Sequence, residues 1–266
     1  MAIDVDISFC LAEPVTAVEL RGFLAAVEEH ADPVAYEVIV AGLDCSPQSP
    51  EGRSLQADFP QLTIYENPPP TPGRRLNHAM GLAVGRYLAP WSPRIYPLAG
   101  CLFNLVQFMD ENPESGLAAP RLLDSDSHLL PSRRRVPGLA VILLLHTLLG
   151  GSGLGGPLLK RHYHAGEPPV FQQAAAGFLS ARALLLRRET LEEIGPFDEG
   201  FKIFYFDADY CRRAAKAGWH CHYLAGAPAR DLAPECFYLD FIRRTSPPGH
   251  LADATRVLLK KWLQIN

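Results

Sequence analysis

The feature that most constrains the fold of this chain is an alternation of short apolar runs with segments of helical periodicity. The series begins with VDISFCL, residues 5–11, followed by VTAVELRGFLAAVEEHA, in which apolar residues recur at helical spacing. It continues with the runs YEVIVAG at 36–42, QLTIYEN at 61–67 and GRYLAPW at 85–91. Strands that alternate with helices are typical of a mostly parallel sheet covered by helices. The sequence therefore predicts an α/β fold.

The alternation also predicts where a ligand binds. In an open parallel sheet, ligands lie beyond the carboxyl ends of the strands. The segments that directly follow IVAG, YEN and YLAPW are therefore expected to line the site.

Composition limits the classes of function. The chain has 266 residues, 48% of them hydrophobic, and a net charge of −4, which gives no electrostatic reason to expect a nucleic-acid partner. No apolar signal region follows Met1, so we expect a cytoplasmic protein. The six cysteines lack zinc-site spacing and are predicted to be reduced thiols.

The pattern changes near residue 125, which we take as the boundary between a first half, 1–125, and a second half, 126–266. The apolar run LAVILLLHTLLGG is shorter than the roughly 20 residues of a membrane span. It predicts a helix that covers the sheet, although the adjacent SRRR at 132–135 leaves peripheral contact with an anionic membrane face as an alternative. The Gly- and Pro-rich stretch at about 150–170 predicts a flexible connector.

A helix in the second half carries the residues best suited to acid–base chemistry. The segment YFDADYCRRAAKAGW presents Asp207 and Asp209 near its start and basic residues near its end, as the helix dipole favours. Two interpretations of Asp207 stay open at this point. It is either a functional carboxylate or the N-cap of the helix.

Three segments together resemble the bacterial family 2 glycosyltransferases, particularly the rhamnosyltransferase-like members. They are ENPPPTPGRRLNHAMGLAVGRYL, LFNLVQFMDENPESGLAAPRLLDSDSHLLPSRRR and RRETLEEIGPFDEGFKIFYFDADYCRRAAKAG, and the resemblance covers nearly the whole chain. It implies a single GT-A domain. Its Rossmann-like half holds a nucleoside diphosphate sugar, and its second half presents a saccharide or lipid-linked acceptor.

The resemblance also assigns roles to individual residues. It implies that Asp207 is the general base and that Asn77 lies in the nucleotide-side segment. The acceptor-side loop falls on GFLSARA, with Ser180 and Arg182 as candidates, and Asp209 is a further substrate-binding candidate.

The chain departs from the family pattern at three places. After the fourth strand, where the family has a metal-binding acid, this chain reads WSPR and has Arg94. After the second strand it keeps only a displaced Asp44, and near APARDLAPE it has no histidine. Arginine repels a divalent cation, so no cofactor is expected, with Mg²⁺ or Mn²⁺ required only if the conventional mechanism holds.

Three hypotheses follow. The first is sugar transfer without a metal, in which Arg94, with Arg74 and Arg75, neutralises the leaving diphosphate. The second is a catalytically silent relative that binds or assembles with a partner. The third is a metal-dependent transferase in which WSPR is misaligned, although no acidic residue lies between Glu66 and Asp110 to replace it.

Overall fold

The computed structural model describes residues 5–66, 68–130, 132–135, 158, 173–175, 177–201 and 205–233. The first half alternates strands and helices as predicted. Its elements begin with β1 (Ile7–Leu11), α1 (Ala17–His30), β2 (Tyr36–Val40), α2 (Pro50–Asp58), β3 (Leu62–Ile64), α3 (Pro72–Leu82) and β4 (Tyr87–Trp91).

The chain continues with elements that complete the sheet. They are β5 (Ile95–Pro97), α4 (Cys101–Glu111), β6 (Ser115–Leu123), β7 (Arg133–Arg134), β8 (Gln173–Ala175), β9 (Phe178–Leu179), β10 (Leu185–Arg187), α5 (Arg188–Ile194), α6 (Phe206–Lys216) and β11 (His220–Asp231). The predicted helix carrying Asp207 and Asp209 is α6.

The described strands form a nine-stranded sheet in the order β3-β2-β1-β4-β10-β6-β11-β5, with β8 also paired to β11. β1 to β4 run parallel, and β6 is parallel to β11. β10 is antiparallel to both of its neighbours, β4 and β6. A strand from the second half thus lies in the middle of the sheet, between two strands of the first half. β7 and β9 form a separate antiparallel pair.

Local sequence explains how α1 begins. Thr16 caps the helix, its hydroxyl accepting from the Glu19 backbone N–H, while the Glu19 carboxylate accepts from the Thr16 backbone. This reciprocal capping box satisfies two backbone donors that have no partner within the helix. It also fixes the position of the Glu19 side chain, which belongs to the site described below.

Helices cover both faces of the sheet. α1, α2 and α4 contribute buried residues such as Phe23, Leu55 and Leu105 to one core, on the face that we call the α1 face. α3 and α6 contribute residues such as Met80 and Tyr210 to the other core, on the α6 face. This is the predicted α/β arrangement of a mostly parallel sheet between helices.

Several predictions concern residues outside the described part of the chain. The apolar run at 139–149 lies there, as does the connector at 150–170 apart from residue 158. Among the helices that are described, none has the length and apolar character needed to cross a membrane. The division into halves at residues 125 and 126 stays a prediction.

Candidate functional site

Charged side chains gather at the carboxyl ends of the parallel strands. Glu13 follows β1, Ser92 and Arg94 follow β4, and Asp231 ends β11. Arg182 precedes β10, and because β10 is antiparallel its amino end lies at the same edge. We call Glu13, Glu19, Arg94, Arg182 and Asp231 the ionic cluster. It lies at the edge of the sheet where the topology predicts a ligand.

Arg94 is held by two carboxylates and one carbonyl. Its Nη1 lies 3.3 Å from Glu13 Oε2 and its Nη2 lies 3.1 Å from Glu19 Oε1. Nη2 also donates to the Pro14 carbonyl at 3.2 Å. The hydrogen bond from the Thr16 backbone, aided by the Arg94 guanidinium, lowers the pKa of Glu19 below its usual value. Arg94 is therefore oriented toward the loop after β1.

Arg182 joins two other members of the cluster. Its Nη1 and Nη2 donate to Asp231 Oδ2 and Oδ1 at 2.8 and 3.3 Å, and its Nε donates to Glu13 Oε1 at 3.3 Å. Asp231 is fully buried. The Ser92 hydroxyl donates to Glu13 Oε2 at 2.7 Å. Glu13 therefore connects the two arginines, and Arg182 lies with Arg94 rather than only with the acceptor-side loop.

The cluster does not fit a divalent cation. A metal needs free carboxylate oxygens, and here both Glu13 and Asp231 already pair with guanidinium groups. Arg94 stands where the resemblance places the metal-binding acid. A shifted alignment finds no acid near this position either, because Ser92 and Pro93 are its neighbours. The chemistry available at this edge of the sheet is that of two oriented guanidinium groups.

Asp207 contacts the loop that carries Arg182 of the ionic cluster. Its Oδ2 accepts from the Ala181 backbone N–H at 3.3 Å and its Oδ1 from that of Ala208 at 2.9 Å. Ala181 directly precedes Arg182, so the carboxylate and the cluster share one loop. The capping interpretation of Asp207 is corrected in one respect, because the N-cap position belongs to Tyr205, in the left-handed region with φ 66°. A non-glycine residue with this backbone conformation is strained, and such strain is concentrated at functional sites.

Asp209 is a buried residue that pairs with an arginine of its own helix. Its Oδ2 accepts from Arg213 Nε at 3.1 Å. Arg213 in turn donates to the carbonyls of Ile194 and Pro196, at 2.6 and 2.7 Å. The pair fastens α6 to the turn that follows α5. The structure gives Asp209 a partner inside the protein, away from the ionic cluster contacts.

Two predicted residues of α3 contact the same turn. The Asn77 side chain accepts from the Phe197 N–H and donates to the Phe197 carbonyl, both at 2.9 Å. Arg74 forms an ion pair with Glu199 at 3.1 Å, about half-exposed on both sides. α3 is thereby joined to the segment that leads into α6.

The remaining candidates lie closer to the loop after β1. Arg75 Nε donates to the Pro69 carbonyl at 2.7 Å, and its Nη1 donates to the Ala12 carbonyl at 3.2 Å. Asp44 is exposed, and its backbone N–H donates to the Val15 carbonyl. The Ser180 hydroxyl accepts from the Arg182 N–H at 3.4 Å. Four predicted residues therefore lie in or contact the loops at the carboxyl edge of the sheet, namely Arg94, Ser180, Arg182 and Asp207. Arg74 and Asn77 instead contact the turn between α5 and α6.

Sequence reasoning missed Glu13, Glu19 and Ser92, and it noted Asp231 only as the place of an absent histidine. The signal for Glu13 was available. It follows β1, and the rule that ligands lie beyond the carboxyl ends of parallel strands applies to the first strand as to the others. Glu19 had no separate signal, because its type and position are explained by helix capping.

The fold and the site can be compared with those of known proteins. No protein-family model matches the chain. Over 137 residues it is 28% identical to N-acetylglucosaminyl-diphospho-decaprenol L-rhamnosyltransferase of two strains of Mycobacterium tuberculosis. The match covers 52% of this chain and 42% of the relative, so the chain matches less than half the length of these relatives.

Solved structures of glycosyltransferases share the fold. The crystal structure of S. aureus TarS 1-349 has a TM-score of 0.54 and 16% identity, covering 96% of this chain and 70% of that one. GalNAc-T7 with UDP, GalNAc and Mn²⁺ has a TM-score of 0.64 and 10% identity, covering 98% of this chain and 49% of that one. The predicted GT-A-like α/β fold is confirmed, as is the resemblance to glycosyltransferases.

Proposed function

We propose that this chain transfers a sugar from a nucleoside diphosphate sugar to a saccharide or lipid-linked acceptor, and that it does so without a metal ion. The observation that carries the proposal is the ionic cluster beside Asp207, at the sheet edge where a parallel α/β fold binds its ligand. The glycosyltransferase relatives support the reaction class.

The two arginines supply the positive charge that the reaction requires. As the bond between the anomeric carbon and the diphosphate oxygen breaks, negative charge grows on the leaving nucleoside diphosphate. Guanidinium groups pair with phosphate oxygens and stay charged at every working pH. Arg94 and Arg182 are held in place by Glu13, Glu19 and Asp231, so their orientation is set before the substrate binds.

Asp207 acts as the general base in this proposal. The acceptor hydroxyl attacks the anomeric carbon, its proton passes to the Asp207 carboxylate, and the nucleoside diphosphate leaves. The hydrogen bond from the Ala181 N–H holds one carboxylate oxygen. Positioned general bases contribute about 10²- to 10⁴-fold to the rate, so Asp207→Asn is expected to lower turnover by at least about 100-fold while the melting temperature stays close to wild type.

The first experiment is a thermal-shift screen with UDP, dTDP, GDP and their sugar conjugates, each with Mn²⁺ and with EDTA. A ligand that binds only the native state raises the melting temperature. The proposal expects a shift that persists in EDTA, followed by transfer to an acceptor that also persists. A shift or turnover that requires Mn²⁺ would contradict it and support the metal-dependent hypothesis.

A catalytically silent binding or assembly protein is the second candidate. The observation that favours it is that each guanidinium of the ionic cluster already pairs with carboxylates inside the chain. A site closed by internal ion pairs needs no substrate. Absence of any nucleotide shift, together with co-purification of a partner glycosyltransferase or a saccharide, would favour this function over transfer.

A further inference from the structure

A second pair of arginines lies on neighbouring strands near the carboxyl edge of the sheet. Arg121 is on β6 and Arg230 on β11, two strands that run parallel. Their register aligns Pro228 with Arg121 and Arg230 with Leu123, so the two arginines are offset by two residues. Because side chains alternate along a strand, this offset places both on one face of the sheet.

That face is the α6 face. On β6, Leu117 and Ala119 pack into the core that contains the α6 residues, whereas Ala118 and Leu122 pack into the opposite core. Arg121 lies two residues beyond Ala119 and continues the series of Leu117 and Ala119, so its side chain lies on the α6 face. Arg230 shares its face, whereas the next residue, Asp231, which pairs with Arg182, lies on the opposite face by the same alternation. The second arginine pair therefore lies on the same face as the helix that carries Asp207, one residue along β11 from a member of the ionic cluster.

Within the part of the chain that the structure describes, this pair lacks a counter-charge. The Nε atoms of Arg121 and Arg230 are buried and have no hydrogen-bond partner, and no carboxylate among the described residues forms an ion pair with either side chain. The acid nearest Arg121 in sequence, Asp124, accepts from the N–H groups of Asp126 and His128 in its own turn. The acid nearest Arg230, Asp231, pairs with Arg182. Two half-buried like charges on neighbouring strands repel each other and lack the partners that buried polar groups normally have.

Arginines elsewhere in the described chain show the contrast. On β10, next to β6, Arg187 donates to the Ser115 and Asn112 carbonyls, and on α5 Arg188 donates to those of Ala83 and Gly85. Arg121 and Arg230 differ from both, because neither of their Nε atoms has a hydrogen-bond partner.

We propose that Arg121 and Arg230 bind a phosphate group of the acceptor. The inference rests on the proposed transfer function and specifies its acceptor as a phosphorylated one. Two guanidinium groups without a described carboxylate partner match the several oxygens and the double charge of a phosphate or diphosphate. The donor diphosphate is assigned to the ionic cluster, so the two arginine pairs bind the phosphates of two different substrates.

The test uses inorganic pyrophosphate and the full chain, in EDTA and at constant ionic strength. Thermal shifts are measured for wild type, Arg121→Gln, Arg230→Gln, the double variant and, as a matched charge control, Arg53→Gln, an exposed arginine on α2. We expect pyrophosphate to stabilise wild type and the control, and at least tenfold higher pyrophosphate to be needed for the same shift in the double variant. An unchanged response in the double variant would overturn the inference.

Further variants separate this inference from the proposed function. In Arg94→Gln the pyrophosphate response assigned to Arg121 and Arg230 should persist, while nucleotide shifts weaken. If the response disappears in Arg94→Gln and persists in the double variant, the anion binds at the ionic cluster and the acceptor inference is wrong. If nucleotides give no shift in wild type but pyrophosphate does so through Arg121 and Arg230, the anion site stands and donor binding fails.

Two probes identify the source of the phosphate. Farnesyl diphosphate carries the same diphosphate on a lipid chain, so a larger shift than with pyrophosphate supports a lipid-linked acceptor. Equal shifts support a soluble phosphorylated saccharide. Lysine retains the positive charge but cannot bind two phosphate oxygens at once as a guanidinium does. Arg121→Lys and Arg230→Lys are therefore expected to give a larger pyrophosphate shift than the glutamine variants and a smaller one than wild type. A melting temperature far below wild type in ligand-free buffer for both lysine variants would assign these arginines a structural role and contradict the inference.

Discussion

Two pairs of arginines lie at the same edge of this sheet, and they differ in their partners. Arg94 and Arg182 are surrounded by three carboxylates, one of them fully buried. Arg121 and Arg230 have no carboxylate partner among the described residues, although both Nε atoms are buried. The difference teaches that residue type and location alone do not assign a role. Carboxylates inside the chain orient the first pair, whereas the second pair has no such partner among the described residues.

The largest expected effect is on stability, at Arg182. Arg182→Gln leaves the buried Asp231 carboxylate without its bidentate partner, and breaking a buried ion pair costs about 3–5 kcal/mol. Urea denaturation should therefore show a free energy of unfolding lower by about that amount. Adding Asp231→Asn should recover a large part of the loss, because the stranded charge is then removed as well. If the single variant were as stable as wild type, the contrast between the two pairs would not hold.

The next effect is on turnover, at Arg94. Removing one preorganised donor to developing charge costs about 10²- to 10³-fold in rate, so Arg94→Ala is expected to lower transfer by about this factor. Its matched control is Arg53→Ala, which removes the same charge from the exposed surface of α2. Steady-state transfer assays in EDTA would measure both variants. Unchanged turnover in Arg94→Ala would reject the role of this arginine in neutralising the diphosphate.

The third prediction uses Arg230 as the counterpart of Arg182. Because no carboxylate in the described chain pairs with Arg230, Arg230→Gln strands no charge. The free energy of unfolding should therefore not fall in ligand-free buffer, because the substitution removes one of two neighbouring like charges and breaks no described ion pair. A loss above about 2 kcal/mol would reveal a partner for this guanidinium and remove the contrast.

The last prediction is a pH dependence at Glu19. Its pKa lies below the usual value in the folded chain, chiefly because the Thr16 N–H donates to the carboxylate, with Arg94 adding to the effect. A lowered folded-state pKa means that this stabilisation is present above about pH 4.5 and is lost as the pH falls through the folded pKa. Glu19→Gln should therefore lose less stability than wild type on acidification. The side chain is about a third exposed, so the difference should stay below about 1 kcal/mol.

Equal acid sensitivity of the Glu19→Gln variant and wild type would show that this ion pair is too weakly coupled to folding to matter. Denaturation curves at several pH values between about 3 and 7 give the comparison directly. Arg94→Ala provides a second reference, since it removes the guanidinium but leaves the capping box of α1 intact.

Much of the fold could be predicted from periodicity. β1 to β4 fall within the four apolar runs. β1 and β4 are buried on both faces, and such strands appear as continuous hydrophobic stretches, whereas in the edge strand β3 the central Thr63 is exposed. The position of β10 could not be predicted in this way. Leu185–Arg187 is only three residues long, and its place between β4 and β6 is set by pairing with strands far away in sequence.

The site was predictable in part, for a related reason. Asp207 and Arg94 were found because they occupy positions that the family resemblance marks. The partners of Arg94 come from the loop after β1 and the first turn of α1, 81 and 75 residues earlier in the chain. No local pattern links such positions. Asp209 and Asn77 show the opposite error. Their residue types are suited to substrate binding, but in the structure their side chains hydrogen-bond to groups that hold the turn between α5 and α6 in place.

The placement of β10 also has a consequence for how the chain is made. During synthesis β4 and β6 emerge early, but the strand that joins them leaves the ribosome only after residue 187 has been added. Until then, both strands present unpaired backbone edges, which are templates for pairing with other chains. The nascent first half is therefore expected to need protection, and expression of residues 1–125 alone should yield aggregates rather than a nucleotide-binding fragment.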